Sequence, residues 1–445
     1  MYRYLACFMF LATTGRSHCA EEQRPAHKHS PNFVFILADD QAWSGLSVAM
    51  VPNQADSRSR VFHTPNTERL VSQGMTFSQA YAGHSTCEPS RATILMGRST
   101  TSLNVPDKTA RHWKAPVSDS LANILKRANP DYRAALFGKW QWFQTPAAMG
   151  YDVSDGITQN EDGDSKDPED PKQTFGLTRR AQTFMTQQVK DGHPFYLQIS
   201  YYAVHPKAQA LATTLKKYEA MNGGGGRGDR AAMAAMTEDL DTCVGTLMKK
   251  IDELGIADNT FVIYMSDNGG RTEILKGGKG TLGEGGLRVP LIVRGPGIRG
   301  GMYCHEPAIS WDILPTVIDF AVPGFALPKG VEGGSLKAVL LNSGVGKIVR
   351  PIDRFVFHQQ TDIDHPQSAM RKGDFKLIYQ WDTHESQLFN LTHDLSEKVN
   401  LARERPEQVE LMRKELIEHV RVGLGEEACK ALENGVTTPH RKSDK

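Results

Sequence analysis

The chain has 445 residues and a formal net charge of +1, which excludes an acidic-tail protein and a strongly basic nucleic-acid binder. Its length fits one large domain with a smaller one. Forty glycines imply many tight loops, and six cysteines are too few for a disulfide scaffold.

Residues 1–20 have the order of a secretory signal. Arg3 precedes the apolar run Leu5–Ala12, and Ser17-His18-Cys19-Ala20 offers small residues before a cut after Ala20. The apolar run is too short to span a bilayer, and no other segment reads as transmembrane. The chain is therefore expected to be secreted or periplasmic. Cys19 raises a lipoprotein alternative, which the polar residues before it fit poorly. Export would leave Cys87, Cys243, Cys304 and Cys429. If Cys87 is modified, at most one disulfide can form among the other three.

Asn32–Leu37 reads as a buried strand, apolar without alternation and ending in Asp39-Asp40, as parallel strands do at their carboxyl edge. Thr64-Pro65-Asn66 opens a helix to Gly74, and Met75–Tyr81 is a further strand. Cys87 precedes Pro89, which suits the first turn of a helix, so Cys87 stands at a helix N-terminus. Beside Arg91, a thiol there would be electropositively flanked and partly exposed. The plainer reading is a buried small hydrophobe. That helix ends near Gly97.

Arg133–Phe137 is a strand into Gly138-Lys139-Trp140, and Glu161–Lys172 is an acidic surface loop. Leu177–Val189 is helical, and Phe195–Tyr202 is a buried strand before His205. Gly223–Gly228 reads as a flexible loop. Arg230–Leu254 is a long helix capped by Gly255, Phe261–Met265 a strand before Ser266-Asp267-Asn268-Gly269-Gly270, and Leu291–Arg294 a short strand. Alternating strands and helices make the class α/β with a mostly parallel sheet flanked by helices. This domain spans 30–345. Over 346–430, Phe355–His358 and Phe375–Trp381 are strands with no helix between them, followed by the amphipathic helix Glu407–Val422: a small C-terminal α+β subdomain. The tail 436–445 is polar and expected to be disordered.

Asp39-Asp40 and Asp267-Asn268 are acidic clusters just past strand ends. Adjacent carboxylates repel and call for a cation, and their hard oxygens suit Ca²⁺ or Mg²⁺. Singly, each cluster reads as a helix cap. A lone lysine such as Lys139 or Lys279 is by default a solvated surface charge.

Cys87-Glu88-Pro89-Ser90-Arg91, with Leu95, Gly97 and Arg98, resembles the signature of the type I, arylsulfatase-like, sulfatases. Further segments resemble that family in order: Pro31–Asp40, Gly138-Lys139-Trp140, Tyr201–His205, Ser266–Gly269, Gly278–Leu282 with Glu284–Pro290, and Arg371–Ile378. The resemblance implies an alkaline-phosphatase-like fold and a sulfuric ester hydrolase in which Cys87 is converted to formylglycine by a formylglycine-generating maturation enzyme. It implies one Ca²⁺ held by Asp39, Asp40, Cys87, Asp267 and Asn268. The hydrated aldehyde would attack sulfur, Arg91 would polarise the diol, Lys139 and Lys279 would neutralise the sulfate, and His205 would protonate the leaving alcohol. Lys139, His205 and Lys279 would therefore also bind substrate. A sulfated carbohydrate is the expected partner, with no nucleic acid, and the polar and imidazole groups of the stretch His358-Gln359-Gln360 to His365-Pro366 suit sugar hydroxyls. The loop Glu161–Lys172 is the other candidate for specificity.

One position departs from the pattern. After Gly-Lys-Trp the family most often has a histidine, and this chain has Gln141, which cannot act as a base. Another group, His84 or His112, would replace it, or sulfate release would be slower. The alternatives are a phosphate or phosphonate ester hydrolase and an impaired binder of sulfated glycans.

Overall fold

The computed structural model describes residues 30–104, 115–221, 228–270, 274–360 and 363–436. The expected signal, the glycine run before Gly228, His112 and the tail beyond Val436 lie outside these residues.

Ten strands belong to the first part of the chain: β1 (Asn32–Ala38), β2 (Met75–Phe77), β3 (Ala80–Tyr81), β4 (Arg133–Gly138), β5 (Val153–Ser154), β6 (Phe195–Ser200), β7 (Thr260–Ser266), β8 (Leu291–Arg294), β9 (Met302–Cys304) and β10 (Ala308–Ile309). Eight form one sheet in the order β5-β4-β6-β1-β7-β8-β2-β9, and β3 pairs with β10 apart from it. From β5 to β7 all pairing is parallel, and β8 runs antiparallel to β7 and β2. The fold is α/β with a mostly parallel sheet.

The uninterrupted apolar strands follow from burial on both faces. In β1, Phe33, Phe35 and Leu37 face one cluster and Val34, Ile36 and Ala38 the other. The helices Cys87–Met96, Leu121–Ala128 and Ile313–Ala321 cover the first face. The helices Pro65–Gln73, Thr174–Asp191 and Gly228–Glu253 cover the second. Each large side chain so enclosed contributes about 1.5–3 kcal/mol. The long helix also caps a neighbour. Asp241 accepts from the backbone N–H of Asn66 and Thr67 at 2.9 and 2.7 Å, where Thr64 makes no side-chain cap.

The stretch Met75–Tyr81 is two strands, not the single one expected. Ser78 N donates to Cys304 O, and Ser78 Oγ bonds His305 Nδ1. These polar ties end β2 and carry the chain across to β3.

The C-terminal part is an antiparallel sheet of β11 (Phe355–Gln359), β12 (Gln367–Lys372), β13 (Phe375–Gln380) and β14 (Ser386–Asn390). Phe355, Phe357, Ala369, Ile378 and Phe389 pack against Tyr81, Leu287 and Trp311 of the main domain. The opposite face, with Val356, Met370, Leu377 and Leu388, lies under the helices Pro406–Leu424 and Glu426–Glu433. Cys87, Cys243, Cys304 and Cys429 are all free and buried, so no disulfide joins them. Among the described residues no helix is long and apolar enough to cross a membrane.

Candidate active site

The carboxyl edge of the main sheet gathers the residues that carry chemistry. At the end of β1, Asp39 is fully buried and Asp40 adopts φ 61°. At the end of β7, Asp267 and Asn268 are fully buried. Asp267 Oδ1 accepts from Asp40 N at 3.1 Å, and Asn268 Nδ2 donates to Asp40 Oδ1 at 2.7 Å. Gly270 permits this closeness, since a Cβ there would lie 2.2 Å from Asp40 O.

Cys87 is the first residue of its helix, as expected, with Thr86 as N-cap. Its environment is not the expected one. The side chain is buried, and Sγ lies 3.3 Å from Asp39 Oδ1 and 3.7 Å from Asp40 Oδ1. Burial first, then Asp267 and Asp39, push the thiol well above its ordinary pKa. Carboxylates outweigh Arg91 in its surroundings, so the thiol is neither electropositively activated nor exposed.

One turn on, Arg91 is buried. Its Nε and Nη2 meet Asp267 Oδ2 at 2.9 and 2.8 Å, and Nη1 donates to Lys139 O at 2.8 Å. Lys139, far from being a solvated charge, is 1% exposed and its ammonium pairs with Asp39 Oδ2. Burial alone would raise the Asp39 carboxyl, but Lys139 and Arg91 outweigh it and hold it below the usual range. Gly138 makes the turn into Lys139 at φ 95°, where a Cβ would strike Ser200 O at 2.1 Å. Lys279 reaches in from the other side, 2.8 Å from Asp40. His205 Nε2 stands 3.9 Å from Asp40 Oδ2, and burial lowers its pKa despite Asp39.

Ligand atoms of Asp39, Asp40, Cys87 and Asp267 lie within 4.8 Å of one another. Asn268 Oδ1 is buried and accepts no hydrogen bond. Converging acids beside an orphaned amide oxygen fit a hard divalent cation. The soft thiol is the one ill-suited donor, and an oxygen at position 87 would remove that mismatch.

Four further residues singled out in the sequence are held by partners of their own. His358 is buried in β11, its Nδ1 bonded to Ser368 Oγ at 2.8 Å, and burial lowers it to about 4. His84 is no free base either. Its Nδ1 lies 3.1 Å from Thr86 N and 2.9 Å from Thr86 Oγ1, and its Nε2 lies 2.9 Å from His358 O. His365 is exposed and pairs with Asp382. Gln141 turns its amide to Asn160 Oδ1 at 3.0 Å.

The acidic stretch Glu161–Lys172 is fastened down. Buried Lys172 pairs with Asp164 at 2.6 Å, and Gln209 Oε1 accepts from Ser165 N and Lys172 N, both at 3.0 Å. Gly163 abuts the Tyr202 ring, three residues before His205. Gln359, which the sequence places in the specificity stretch as a group for sugar hydroxyls, instead donates its Nε2 to Gly280 O at 2.6 Å, beside Lys279. No sequence signal marks this bond, because the partner is a backbone carbonyl 79 residues away.

A family model described as Sulfatase matches residues 31–322. A protein of Formosa agariphila named Sulfatase is 27% identical over 478 residues, covering 85% of each chain. Arylsulfatase A of Homo sapiens is 28% identical over 403 residues, covering 78% of this chain and 75% of its own. The crystal structure of Ps i-CgsB, at 24% identity, superposes with a TM-score of 0.74 over 88% of this chain and 93% of its own. A phosphonate monoester hydrolase of Agrobacterium radiobacter, 19% identical, shares the fold with a TM-score of 0.66 over 88% of this chain and 95% of its own. The architecture is therefore the alkaline-phosphatase-like one, common to hydrolases of different esters. The family match takes in more than half of the chain and every residue of the cleft built above: this chain belongs to the Sulfatase family and is a sulfuric ester hydrolase.

Proposed function

We propose that the enzyme removes sulfate from a carbohydrate ester, using formylglycine made from Cys87 and one divalent cation, calcium by family resemblance. The observation that carries this reading is the convergence of the Cys87 side chain with three carboxylates and the unpartnered Asn268 Oδ1. Asp39, Asp40, Asp267, Asn268 and residue 87 would hold the cation, which supplies Lewis acidity toward a sulfate oxygen. Hydrated formylglycine supplies a nucleophilic oxygen and a second hydroxyl through which sulfate can depart.

The rest is work for the chain's own side chains. Arg91, fixed by Asp267 and by the Lys139 carbonyl, holds its guanidinium against the start of the helix that carries residue 87. Lys139 and Lys279 flank the cleft from opposite sides and neutralise sulfate oxygens as charge shifts. His205, at the more open side, donates a proton to the leaving alcohol oxygen. Gln141, tied to Asn160, draws off no proton, so sulfate release is the step this chain performs without the usual imidazole.

A sugar substrate is supported by relatives named for sugars. These are the Ulvan-active sulfatase of Formosa agariphila, 24% identical, and the human N-acetylgalactosamine-6-sulfatase, 25% identical. Ps i-CgsB has also been crystallised with k-i-k-neocarrahexaose. The reading needs a maturation enzyme that oxidises the thiol, and secretion or export to a periplasm agrees with its residues 1–20.

The test is the mass of the peptide spanning Cys87 together with sulfate release from aryl and sugar sulfates. We expect an aldehyde in place of the thiol, release of sulfate with no matching action on phosphate esters, and no release by Cys87→Ala. An unmodified thiol in active protein overturns the mechanism. Converted protein that binds sulfated sugar without releasing sulfate makes the chain a binder instead.

A further inference from the structure

We propose that Gln359 is a positioning residue for the loop that carries Lys279, held from the C-terminal sheet through its hydrogen bond to the carbonyl of Gly280; this rests on the role of Lys279 proposed above. Lys279 sits among Gly277, Gly278, Gly280 and Gly283, and Gly277 and Gly280 have φ of 77° and 82°. A backbone so rich in glycine loses much conformational freedom when it is fixed. The lysine side chain is itself 32% exposed and cannot be held by packing alone.

The loop is pinned at the residue after Lys279. Gly280 N donates to Ser85 O at 2.8 Å, two residues before Cys87. Gly280 O accepts from Gln359 Nε2 at 2.6 Å, and Gln359 Oε1 faces Ser85 Oγ at 3.4 Å. One carboxamide thus spans the two loops that carry Cys87 and Lys279. Gln359 can serve as an anchor because it is buried at the end of β11, opposite Gln367 of β12, on a sheet whose face packs against Tyr81 and Trp311.

This tie differs from an ordinary structural bond. Gly280 is half-buried with open space beside its Cα, so water can replace the lost donor. The fold should survive the loss while the ammonium of Lys279 wanders, and a misplaced charge is costly in a displacement reaction.

The experiment uses protein whose residue 87 is verified as converted by peptide mass. Gln359→Met keeps the volume and removes both bonds. Its kcat/KM for an aryl sulfate should fall about tenfold, and inhibition by inorganic sulfate should weaken in step, at an unchanged unfolding midpoint. In a Lys279→Met background the same change should cost less than about twofold, because residues acting through one another are not additive. Gln359→Asn, too short to reach Gly280, repeats the pair of measurements if the methionine variant does not fold. No loss in the first background, or equal losses in both, overturns the inference. Converted wild-type protein that releases no sulfate overturns the proposed function itself, and this role with it.

Discussion

Two of the buried charge clusters among the described residues are built in opposite senses. At the junction with the C-terminal sheet, Lys376 Nζ stands between two carboxylates, 3.0 Å from Glu284 and 2.9 Å from Glu397. Arg288 Nε adds a bond to Glu284 at 2.8 Å, and the Tyr81 hydroxyl another at 2.8 Å. The protein supplies the central cation itself. In the cleft, Asp39, Asp40 and Asp267 converge on a common point with Cys87, while Arg91, Lys139 and Lys279 stand around the outside. Three acids and three fixed cations balance, so an added divalent ion would leave two positive charges in excess. That excess suits an anionic ester. The first cluster is complete as folded, and the second, under the function proposed above, would take up a cation and an anion.

The largest effect should come from breaking the acidic convergence. Asp40 has a left-handed backbone that asparagine tolerates well, so Asp40→Asn should fold. It removes one of the three carboxylates together with its ion pair to Lys279, so the melting temperature of the variant without added metal sets its own baseline. Calcium should raise the wild-type melting temperature, while the variant should respond much less. Sulfate release should fall about 10³-fold. An unchanged calcium response in the variant would mean the carboxylates do not form the cation site.

The converse experiment addresses the junction. Lys376→Met leaves Glu284 and Glu397 buried with their central cation gone, which should cost about 3–5 kcal/mol in urea unfolding. The calcium response of the cleft should remain. A cost below about 1 kcal/mol would show that Lys376 is not what reconciles the two carboxylates.

The contrast also marks what could be read from residues alone. The core strands were legible because burial on both faces leaves an uninterrupted apolar run, as in Phe33–Leu37 and Phe261–Met265. The cleft carboxylates were legible because they follow those strands directly. β12 and β14 were not, since Gln367–Lys372 and Ser386–Asn390 carry few apolar residues and owe their pairing to neighbours. The burial of Lys139 and the tie from His84 to the C-terminal sheet were equally hidden. Each depends on a partner remote in sequence, Asp39 for the first and the carbonyl of His358 for the second. Lys376 shows the same limit: its segment was legible as a family resemblance, its place between two acids was not.

The finest distinction between the clusters is their response to acid. Burial alone would raise Glu284, but Lys376, Arg288 and Arg371 outweigh it and push it down to about 2. A carboxyl lowered from an ordinary 4.5 contributes stability that is whole above pH 4.5 and is lost as pH falls through about 2. Glu397 is raised by its burial, so the folded protein protonates it early and loses nothing by doing so. The Glu284 contribution should therefore be isolated as a difference between two proteins. Glu284→Gln keeps the shape and removes the charge, and its cost relative to wild type should be largest at pH 7. By pH 3.5 that cost should shrink by on the order of 1 kcal/mol, because the wild-type carboxyl begins to gain a proton on unfolding. Urea unfolding of both proteins at the two pH values measures it. A gap that stays constant would mean the cations around Glu284 hold its position without holding its charge, and the junction would lose its claim to be the self-sufficient cluster of the pair.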